Sequence, residues 1–307
     1  MTKSQVTMGI DSGASGTKAK SPFGSLMFAT KMTEGFTQGM LGENTFNATI
    51  DGVDLTIGDK AEISDRKEGK DTDLHIYTTL VAAAKLRGDA EEVLIGYGES
   101  FNKYMQPKQK ERIKQRLEGE HTVIFYNGEE VEEHRFTIKL VHLLPEGLGT
   151  ILCDLENNLG VKYIVDWGGS TVNFLEVFDG QPTLNSQSFR LGSYNVYAQV
   201  GSMLARAELG SYTDLQIKTW VDEGCSNIEI QKIIDKVVKD QLRKIDDKLN
   251  GLGIDLHEYL EVTFIGGTSQ LFHNQIKSHY ECAVFEKDSI MCNANGFYEY
   301  MRLVYGN

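Results

Sequence analysis

Two short loops of similar design carry the residues that are best suited to phosphate chemistry. One is Ile10–Lys18, with the sequence IDSGASGTK, and the other is Val165–Asn173, with the sequence VDWGGSTVN. In each, an apolar strand end is followed by an aspartate, small residues and hydroxyls. Such a loop can bend tightly, direct backbone N–H groups toward a phosphate and offer a carboxylate to Mg²⁺. Two copies, together with the glycine pair Gly266-Gly267, favour a phosphate site over ordinary turns.

The rest of the sequence alternates between strand and helix patterns in two rounds, and each round begins with a strand, an Asp loop and a second strand. This alternation is typical of α/β domains. It predicts two similar α/β domains that are packed together around a cleft. We predict strands over residues 6–10, 17–19, 26–29, 46–50, 53–57, 93–97, 121–126, 136–144, 163–165, 174–177 and 262–265. We predict helices over residues 74–86, 108–117, 194–209, 270–280 and 296–305.

Local signals predict further boundaries. Asp51-Gly52 lies between two alternating runs and predicts a hairpin with a type I′ turn. Pro145 predicts the first turn of a helix that continues to about Glu156. Ser226 and Glu229 have the spacing of a capping box, which predicts the start of a helix that ends near residue 249. An apolar stripe along this helix predicts core packing.

Composition and charge narrow the class of protein. The chain has 307 residues, 40% hydrophobic and 24% charged, and no apolar run long enough to cross a bilayer. The N-terminus enters the first strand without a signal-peptide core, so we expect a cytoplasmic protein without a membrane partner. The formal net charge of −13 predicts no direct binding to nucleic acid. Any action on DNA would then require a basic partner.

Cysteines and histidines give no metal-site signal in the sequence. The four cysteines, at positions 153, 225, 282 and 292, form no C-x-x-C pair, and no histidine lies at zinc-ligand spacing from them. We expect reduced thiols. The seven histidines are scattered and show no H-E-x-x-H pattern.

The order of four motifs carries a family resemblance. The motifs are the Asp11 loop, Pro145-Glu146-Gly147, the Asp166 loop and Ile265–Thr268. In this order they resemble the actin, sugar-kinase and chaperone ATPase superfamily, and most closely the bacterial actin-like plasmid-segregation ATPases of the ParM type. The resemblance covers essentially the whole chain.

The resemblance implies an actin-like fold in which two ribonuclease-H-like α/β domains flank a nucleotide cleft. Domain I would comprise residues 1–157, completed by a C-terminal helix at about 285–307, and domain II would comprise residues 158–284. Residues 194–250 are the only stretch left for the outer part of domain II, so we expect that subdomain to be small.

The resemblance also assigns roles to individual residues. Glu146 would orient the attacking water, Asp166 would hold Mg²⁺ through water, and Asp11 would lie near the metal and its waters. Lys18 would reach the phosphates, and Gly266 and Gly267 would let the backbone approach the adenosine. The nucleotide contacts implied in this way are Gly13, Ser15, Gly16, Thr17, Lys18, Gly168, Gly169, Ser170, Thr171, Lys239, Asp240, Gly266, Gly267 and Thr268.

The function implied is that of a filament-forming ATPase. Such a chain would bind ATP or GTP with Mg²⁺, assemble with copies of itself, hydrolyse the nucleotide to the diphosphate (ADP for ATP), and segregate plasmid DNA through a DNA-binding adaptor. Two alternatives remain open. One is a small-molecule kinase of the sugar-kinase type, although the sequence lacks its zinc-binding cysteines and its catalytic Asp. The other is a nucleotide-binding scaffold that does not hydrolyse its ligand.

Overall fold

The computed structural model describes residues 4–63, 69–153 and 159–306. Within these ranges the chain is a mixed α/β protein, as predicted. The strands are β1 (Gln5–Ser12), β2 (Thr17–Ser21), β3 (Gly24–Phe28), β4 (Met32–Glu34), β5 (Thr45–Ile50), β6 (Val53–Gly58), β7 (Glu92–Glu99), β8 (Gly119–Asn127), β9 (Glu130–Pro145), β10 (Val161–Trp167), β11 (Val172–Phe178), β12 (Gln181–Pro182), β13 (Gln187–Phe189), β14 (Val262–Ile265) and β15 (Ala283–Phe285).

Helices connect these strands. They are α1 (Asp73–Leu86), α2 (Phe101–Tyr104), α3 (Pro107–Leu117), α4 (Gly149–Leu152), α5 (Ser193–Arg206), α6 (Asp214–Glu223), α7 (Ile228–Asn250), α8 (Gly267–Leu271), α9 (His273–His279) and α10 (Cys292–Tyr305), with a short 3₁₀ turn at Leu256–Glu258. Among the helices in the described ranges, none combines the length and apolar content needed to span a bilayer.

The chain divides into two compact units. Unit 1 comprises Met1–Gly160, Phe178–Pro182 and Met291–Asn307, and unit 2 comprises Val161–Val177 and Thr183–Ile290. The predicted boundary between residues 157 and 158 lies outside the described residues.

Unit 1 contains a sheet with the strand order β3-β2-β1-β7-β9-β8-β5-β6-β4 among the described residues. Its centre is parallel, because β1 pairs with β7 and β7 pairs with β9 in that sense. The β1-β2-β3 meander is antiparallel. The β5-β6 hairpin turns at Asp51 (φ 49°) and Gly52 (φ 87°), and these two positive angles confirm the predicted type I′ turn.

Within unit 1, helix α10 packs closely onto β1 and α4 through small residues. A Cβ placed on Gly296 would lie 2.1 Å from the carbonyl oxygen of Gly149 in α4. A Cβ on Gly9 of β1 would lie 2.1 Å from the carbonyl oxygen of Ala294. The absence of side chains at these glycines therefore lets the helix backbone touch both β1 and α4.

Unit 2 is built on the strand order β11-β10-β14-β15, with β13 paired to β11. Strands β10, β14 and β15 run parallel. Helix α7 buries the predicted apolar stripe in the core of this unit. The buried stripe residues are Ile230, Ile234, Val238, Leu242, Ile245 and Leu249.

Several predicted helix boundaries are wrong, and the helix predicted over residues 270–280 is instead the two helices α8 and α9. Pro145 ends β9 instead of starting a helix, because β9 follows β7 in parallel register as far as the pair Glu99 and Pro145; the predicted end near Glu156 lies outside the described residues. Helix α7 is capped by Asn227, whose side chain accepts from the backbone N–H groups of the next turn, so the predicted Ser226 capping box does not form. Helix α10 starts at Cys292, ahead of the predicted start.

Helix α6 was not predicted, although its start carries a sequence signal. Thr213 and Gln216 form a reciprocal capping box, in which each side chain bonds the backbone N–H of the other residue. The helix buries only Ile217 and Val221. Its short apolar face explains why periodicity did not reveal it.

We expect Gly296→Ala to lower the free energy of unfolding by about 1–3 kcal/mol or more, because the new methyl group would overlap the Gly149 carbonyl. Alanine would otherwise stabilise a helix interior relative to glycine by about 0.5–1 kcal/mol, so the sign of the effect tests the close contact. Urea unfolding measures it. Gly42→Ala is the control, because Gly42 is exposed and has no atom within 4 Å of its Cβ position in the described chain. A stabilised Gly296→Ala protein would contradict this packing.

Candidate functional site

The first predicted loop is a tight turn at the end of β1. Strand β1 ends at Ser12, and the N–H of Gly13 donates to the carbonyl of Gly16 across 3.1 Å. Asp11 lies opposite Lys18 in the β1-β2 register, and its Oδ2 lies 3.3 Å from the Lys18 Nζ. The strand pairing therefore places the predicted aspartate and lysine side by side.

The second predicted loop repeats this turn in unit 2. The N–H of Gly168 donates to the carbonyl of Thr171 across 2.9 Å, which is again a bond between residues three apart. Asp166 precedes Gly168 by two residues, as Asp11 precedes Gly13, and both aspartates are buried. The two loops thus share one backbone design, and each follows a strand with a parallel neighbour.

Helices α5 and α8 fix the second loop. The carbonyl of Gly168 accepts from the N–H of Ser193 (3.2 Å) and from the Oγ1 of Thr268 (2.9 Å). The carbonyl of Gly169 accepts from the N–H of Tyr194 across 3.0 Å. The loop carbonyls are therefore held by the N-terminal ends of two helices, and the buried Thr268 side chain anchors the loop.

Gly266 and Gly267 are glycines for different reasons. Gly266 has a φ of 90°, and a Cβ there would lie 2.5 Å from the Oδ1 of Asp166. A Cβ on Gly267 would meet no atom within 4 Å in the described chain, apart from its own helix and chain neighbours. Gly266 therefore makes room for Asp166, whereas the space beside Gly267 is open and could accept a ligand.

Lys70 is the central functional candidate that the sequence did not reveal. It precedes α1, and its side chain is only 7% exposed. Its Nζ lies 2.7 Å from the Oδ1 of Asp11 and 2.5 Å from the Oε1 of Glu146. One buried ammonium group therefore joins the two predicted catalytic carboxylates of unit 1. Its sequence surroundings are charged and polar, which is typical of a solvated loop.

Glu99 supports this ion-pair network from β7. Its Oε2 accepts from the backbone N–H of Lys70 (3.0 Å) and from Gln109 Nε2 (3.0 Å). Its carbonyl accepts from the backbone N–H of Glu146 across 2.8 Å. Glu99 therefore fixes the backbone at both Lys70 and Glu146, and no short motif in the sequence marks it.

Burial and neighbouring charges have opposite effects on the pKa values of Asp11 and Lys70 in this network. Burial by itself raises the pKa of Asp11, but the ammonium groups of Lys18 and Lys70 outweigh it and hold that pKa well below its usual range. Burial lowers the pKa of Lys70, but Asp11 and Glu146 raise it well above its usual value. Burial also raises the pKa of Glu99. At neutral pH Asp11 is a carboxylate and Lys70 is an ammonium.

Two predicted side-chain contacts from the first loop receive different support. Ser15 is exposed in the turn, where its hydroxyl can reach a ligand. Thr17 is fully buried, and its hydroxyl bonds with Thr30 (2.9 Å) and Ser12 (3.3 Å). The predicted contact between the Thr17 hydroxyl and a phosphate does not fit this inward orientation.

The predicted pair on α7 divides between two surfaces. Lys239 is exposed, whereas Asp240 lies 3.5 Å from Arg243 and lines a cavity of about 830 Å³ within unit 2. Lys236 lines this cavity with Asp240, because residues four apart share a helix face. The polar cavity residues from α5 are Asn195, Gln199, Ser202 and Arg206.

The two aspartates differ in how well they fit Mg²⁺. Mg²⁺ prefers carboxylate oxygens and water. Asp166 offers such a carboxylate beside Gly266, next to the open space at Gly267. Asp11 already has ammonium groups at both oxygens, so its surroundings do not fit a metal. We therefore retain only Asp166 as a candidate Mg²⁺ ligand.

Comparison with known proteins identifies the fold. Residues 9–149 match the family of actin-like proteins, N-terminal domain. The crystal structure of Ta0583, an archaeal actin homologue, superposes with a TM-score of 0.80 at 18% identity and covers 97% of this chain and 99% of that one. The chain has an actin-like fold. The predicted fold class is thus confirmed.

Two further solved structures share this actin-like fold. The Alp12 filament structure has a TM-score of 0.70 at 19% identity, covering 98% of this chain and 99% of that one. Bacillus thuringiensis ParM with ATP has a TM-score of 0.66 at 16% identity, covering 99% and 100%. Ta0583 has also been solved in complex with ADP. No curated protein matches the chain in sequence.

We expect Lys70→Met to reduce the free energy of unfolding by about 3–5 kcal/mol at pH 7, because it removes the buried ammonium group that compensates the charges of Asp11 and Glu146. Urea unfolding between pH 7 and pH 5 measures this loss. Removing Lys70 takes away one of the two ammonium groups that lower the pKa of Asp11, so that folded-state pKa is higher than in the unsubstituted chain and the deficit narrows as the pH falls toward it.

Lys139→Met is the matched control for this prediction. Lys139 pairs with Glu92 across 2.8 Å, but it is 55% exposed, so its removal should cost less than about 1 kcal/mol. Equal losses in the two variants would show that the Lys70 network does not stabilise unit 1.

Proposed function

We propose that the chain is a filament-forming actin-like ATPase that binds a nucleoside triphosphate with Mg²⁺ and hydrolyses it. The observation that carries this proposal is the repeated loop, in which a buried aspartate precedes a tight turn by two residues. Glycine-rich turns of this kind suit phosphate binding because their backbone N–H groups can approach an anion closely. The relatives solved with ADP and with ATP support a nucleotide as the ligand.

Unit 2 would bind the nucleotide through the second loop and the cavity beside it. Gly168, Gly169, Ser170 and Thr171 would contact the phosphates. The cavity begins at Asn195, next to Tyr194, which holds the loop through Gly169. Its lining combines polar side chains with the apolar Ala198, Met203 and Ala207, a mixture that suits a ribose and base, and its volume of about 830 Å³ is large enough for a nucleoside.

Unit 1 would supply the hydrolytic groups. Glu146 would orient the attacking water and accept its proton, a role suited to a carboxylate held in one orientation. Lys70 holds that orientation through its 2.5 Å contact and adds a fixed positive charge beside Glu146. Lys18 and the turn Gly13–Gly16 would add phosphate contacts. Bound Mg²⁺, held through Asp166, would supply charge neutralisation of the phosphates.

Filament assembly would follow the state of the nucleotide. A ligand shifts a conformational equilibrium only through its different affinities for the two states, and loss of the terminal phosphate provides such a difference. The Alp12 filament supports self-assembly as a property of this fold. We therefore propose that the triphosphate form polymerises and that the diphosphate form dissociates.

We further propose that the filament moves plasmid DNA through an adaptor. The net charge of −13 disfavours direct contact with DNA. A basic DNA-binding protein would be attracted to such an acidic chain. Cosedimentation of filaments with plasmid DNA, with and without candidate adaptors, tests this part of the proposal.

Light scattering and phosphate release, followed together after addition of ATP and Mg²⁺, test the central proposal. Scattering that rises and then decays as phosphate appears supports a dynamic filament. Phosphate release without scattering points to a soluble ATPase or to a kinase without its substrate. Neither signal, with GTP tried as well, points to a scaffold that does not hydrolyse its ligand.

We expect Glu146→Gln to slow phosphate release by about 10²-fold or more while leaving nucleotide affinity nearly unchanged, because the amide cannot accept the proton. Glutamine keeps an oxygen that can accept from Lys70, so the network should remain folded. Steady-state phosphate release and nucleotide titration measure the two effects. Glu129→Gln, at an exposed position of unit 1, is the control. Unchanged phosphate release in Glu146→Gln would show that Glu146 does not take part in hydrolysis.

We expect Gly267→Ala to preserve stability and weaken nucleotide binding by about tenfold, because its methyl group would enter the open space that we assign to the ligand. Gly266→Ala should instead destabilise unit 2, because its methyl group would collide with Asp166 at a φ of 90°. Thermal unfolding and nucleotide titration on both variants separate these effects. Normal affinity in Gly267→Ala would place the ligand elsewhere.

A further inference from the structure

Three side chains of types that can bind a metal ion lie close together in unit 2, outside the candidate nucleotide site. They are Asp246 near the end of α7, His257 in the 3₁₀ turn and His279 at the end of α9. One possible ligand atom from each lies within 4.8 Å of the other two. These residues belong to three separate elements, so the tertiary packing of those elements creates the cluster.

The carboxylate of Asp246 is held in a defined orientation. Its Oδ1 accepts from the Tyr280 hydroxyl across 2.6 Å, and its Oδ2 lies 2.7 Å from the Nε2 of His279. Tyr280 is fully buried, so its hydroxyl is held in place as a donor to this carboxylate. A hydrogen bond to the outer oxygen of a carboxylate is the kind of contact that orients a metal ligand.

His257 completes the cluster from the solvent side. Its backbone N–H donates to the Asp255 side chain across 3.0 Å, which fixes the turn. Its ring centre lies 5.4 Å from that of His279 and 5.1 Å from that of Tyr280. His257 is exposed, so a solvated ion can reach the three ligand atoms without any opening of the core.

We propose that Asp246, His257 and His279 bind a transition-metal ion of the Zn²⁺ class. Two imidazoles and one carboxylate are ligands that Zn²⁺ accepts in tetrahedral geometry, with a fourth position left for water. Ligand atoms on a tetrahedral Zn²⁺ lie about 3.3 Å apart, given bonds of about 2.0–2.1 Å. To reach this spacing, the exposed His257 ring must bring its nitrogen closer to the other ligand atoms, which lie within 4.8 Å, and the 2.7 Å contact between Asp246 and His279 must open.

This site differs in chemistry from the proposed nucleotide site. Mg²⁺ prefers oxygen ligands and does not compete well for imidazole nitrogen. The ion would join the end of α7 to the end of α9 and to the 3₁₀ turn, so it would stabilise unit 2 directly. Binding should therefore occur without nucleotide, and it does not depend on whether the chain hydrolyses ATP.

Titration of the metal-free, untagged chain with Zn²⁺ tests the proposal, in the presence of Mg²⁺ and without nucleotide. We expect one site per chain by calorimetry and a rise in the unfolding midpoint with Zn²⁺. His257→Ala and Asp246→Asn should each weaken Zn²⁺ binding at least tenfold. The control His273→Ala, at an exposed histidine of the same unit, should bind Zn²⁺ as the unsubstituted chain does.

Cobalt(II) absorption identifies the ligands. The proposed set gives the visible bands of tetrahedral Co²⁺ without a thiolate charge-transfer band. Cys282 is the nearby competitor, because its thiol donates to the Leu256 carbonyl (3.2 Å), although burial raises the pKa of that thiol. The proposal is wrong if Zn²⁺ does not bind, if His257→Ala binds Zn²⁺ equally well, or if a thiolate band appears and is lost in Cys282→Ser. The three residues would then form only a hydrogen-bonded cluster.

Discussion

The buried ammonium group of Lys70 is the interaction on which the organisation of unit 1 depends. A lysine in this position is tolerated only if carboxylates compensate its charge, and Asp11 and Glu146 do so at 2.7 and 2.5 Å. The end of β1, the segment before α1 and the turn after β9 must therefore come together. Glu99 fixes two of these three segments through their backbone N–H groups. Stability and the proposed chemistry thus rest on the same contacts.

The two loops share a backbone turn but are held by different forces. In unit 1 the loop lies beside an ion-pair network, and strand register sets Lys18 opposite Asp11. In unit 2 the loop carbonyls accept hydrogen bonds from the starts of α5 and α8. This difference gives the units different electrostatic character. Unit 1 presents fixed charges, whereas unit 2 presents a polar backbone loop beside a cavity. The charges of unit 1 fit the proposed hydrolysis, and the loop and cavity of unit 2 fit the proposed nucleotide binding.

Features encoded by neighbouring residues could be predicted. Asp51-Gly52 formed the expected turn because two adjacent positive φ angles favour these residue types. The α7 stripe was buried because a single helix face repeats every 3.6 residues. Pro145 was misassigned because a proline at the last residue of a strand resembles one at the first turn of a helix. The N-cap of α7 was predicted at Ser226 but is Asn227. Serine and asparagine side chains can both accept from the N–H groups of the first turn, so both residues are plausible caps in the sequence.

The sequence by itself determined the two Asp loops and the order of motifs, since both depend on short runs of residue types, and the resemblance of that order to a known family implied the actin-like fold. Tertiary structure alone decided that Lys70 joins Asp11 to Glu146, and that Asp246, His257 and His279 meet. It also decided that Gly266 makes room for Asp166 and that the Thr17 hydroxyl points inward. These contacts join residues distant in the chain or depend on strand register. A charged residue in a polar segment has the same local sequence whether it is solvated or buried against a partner brought close by folding.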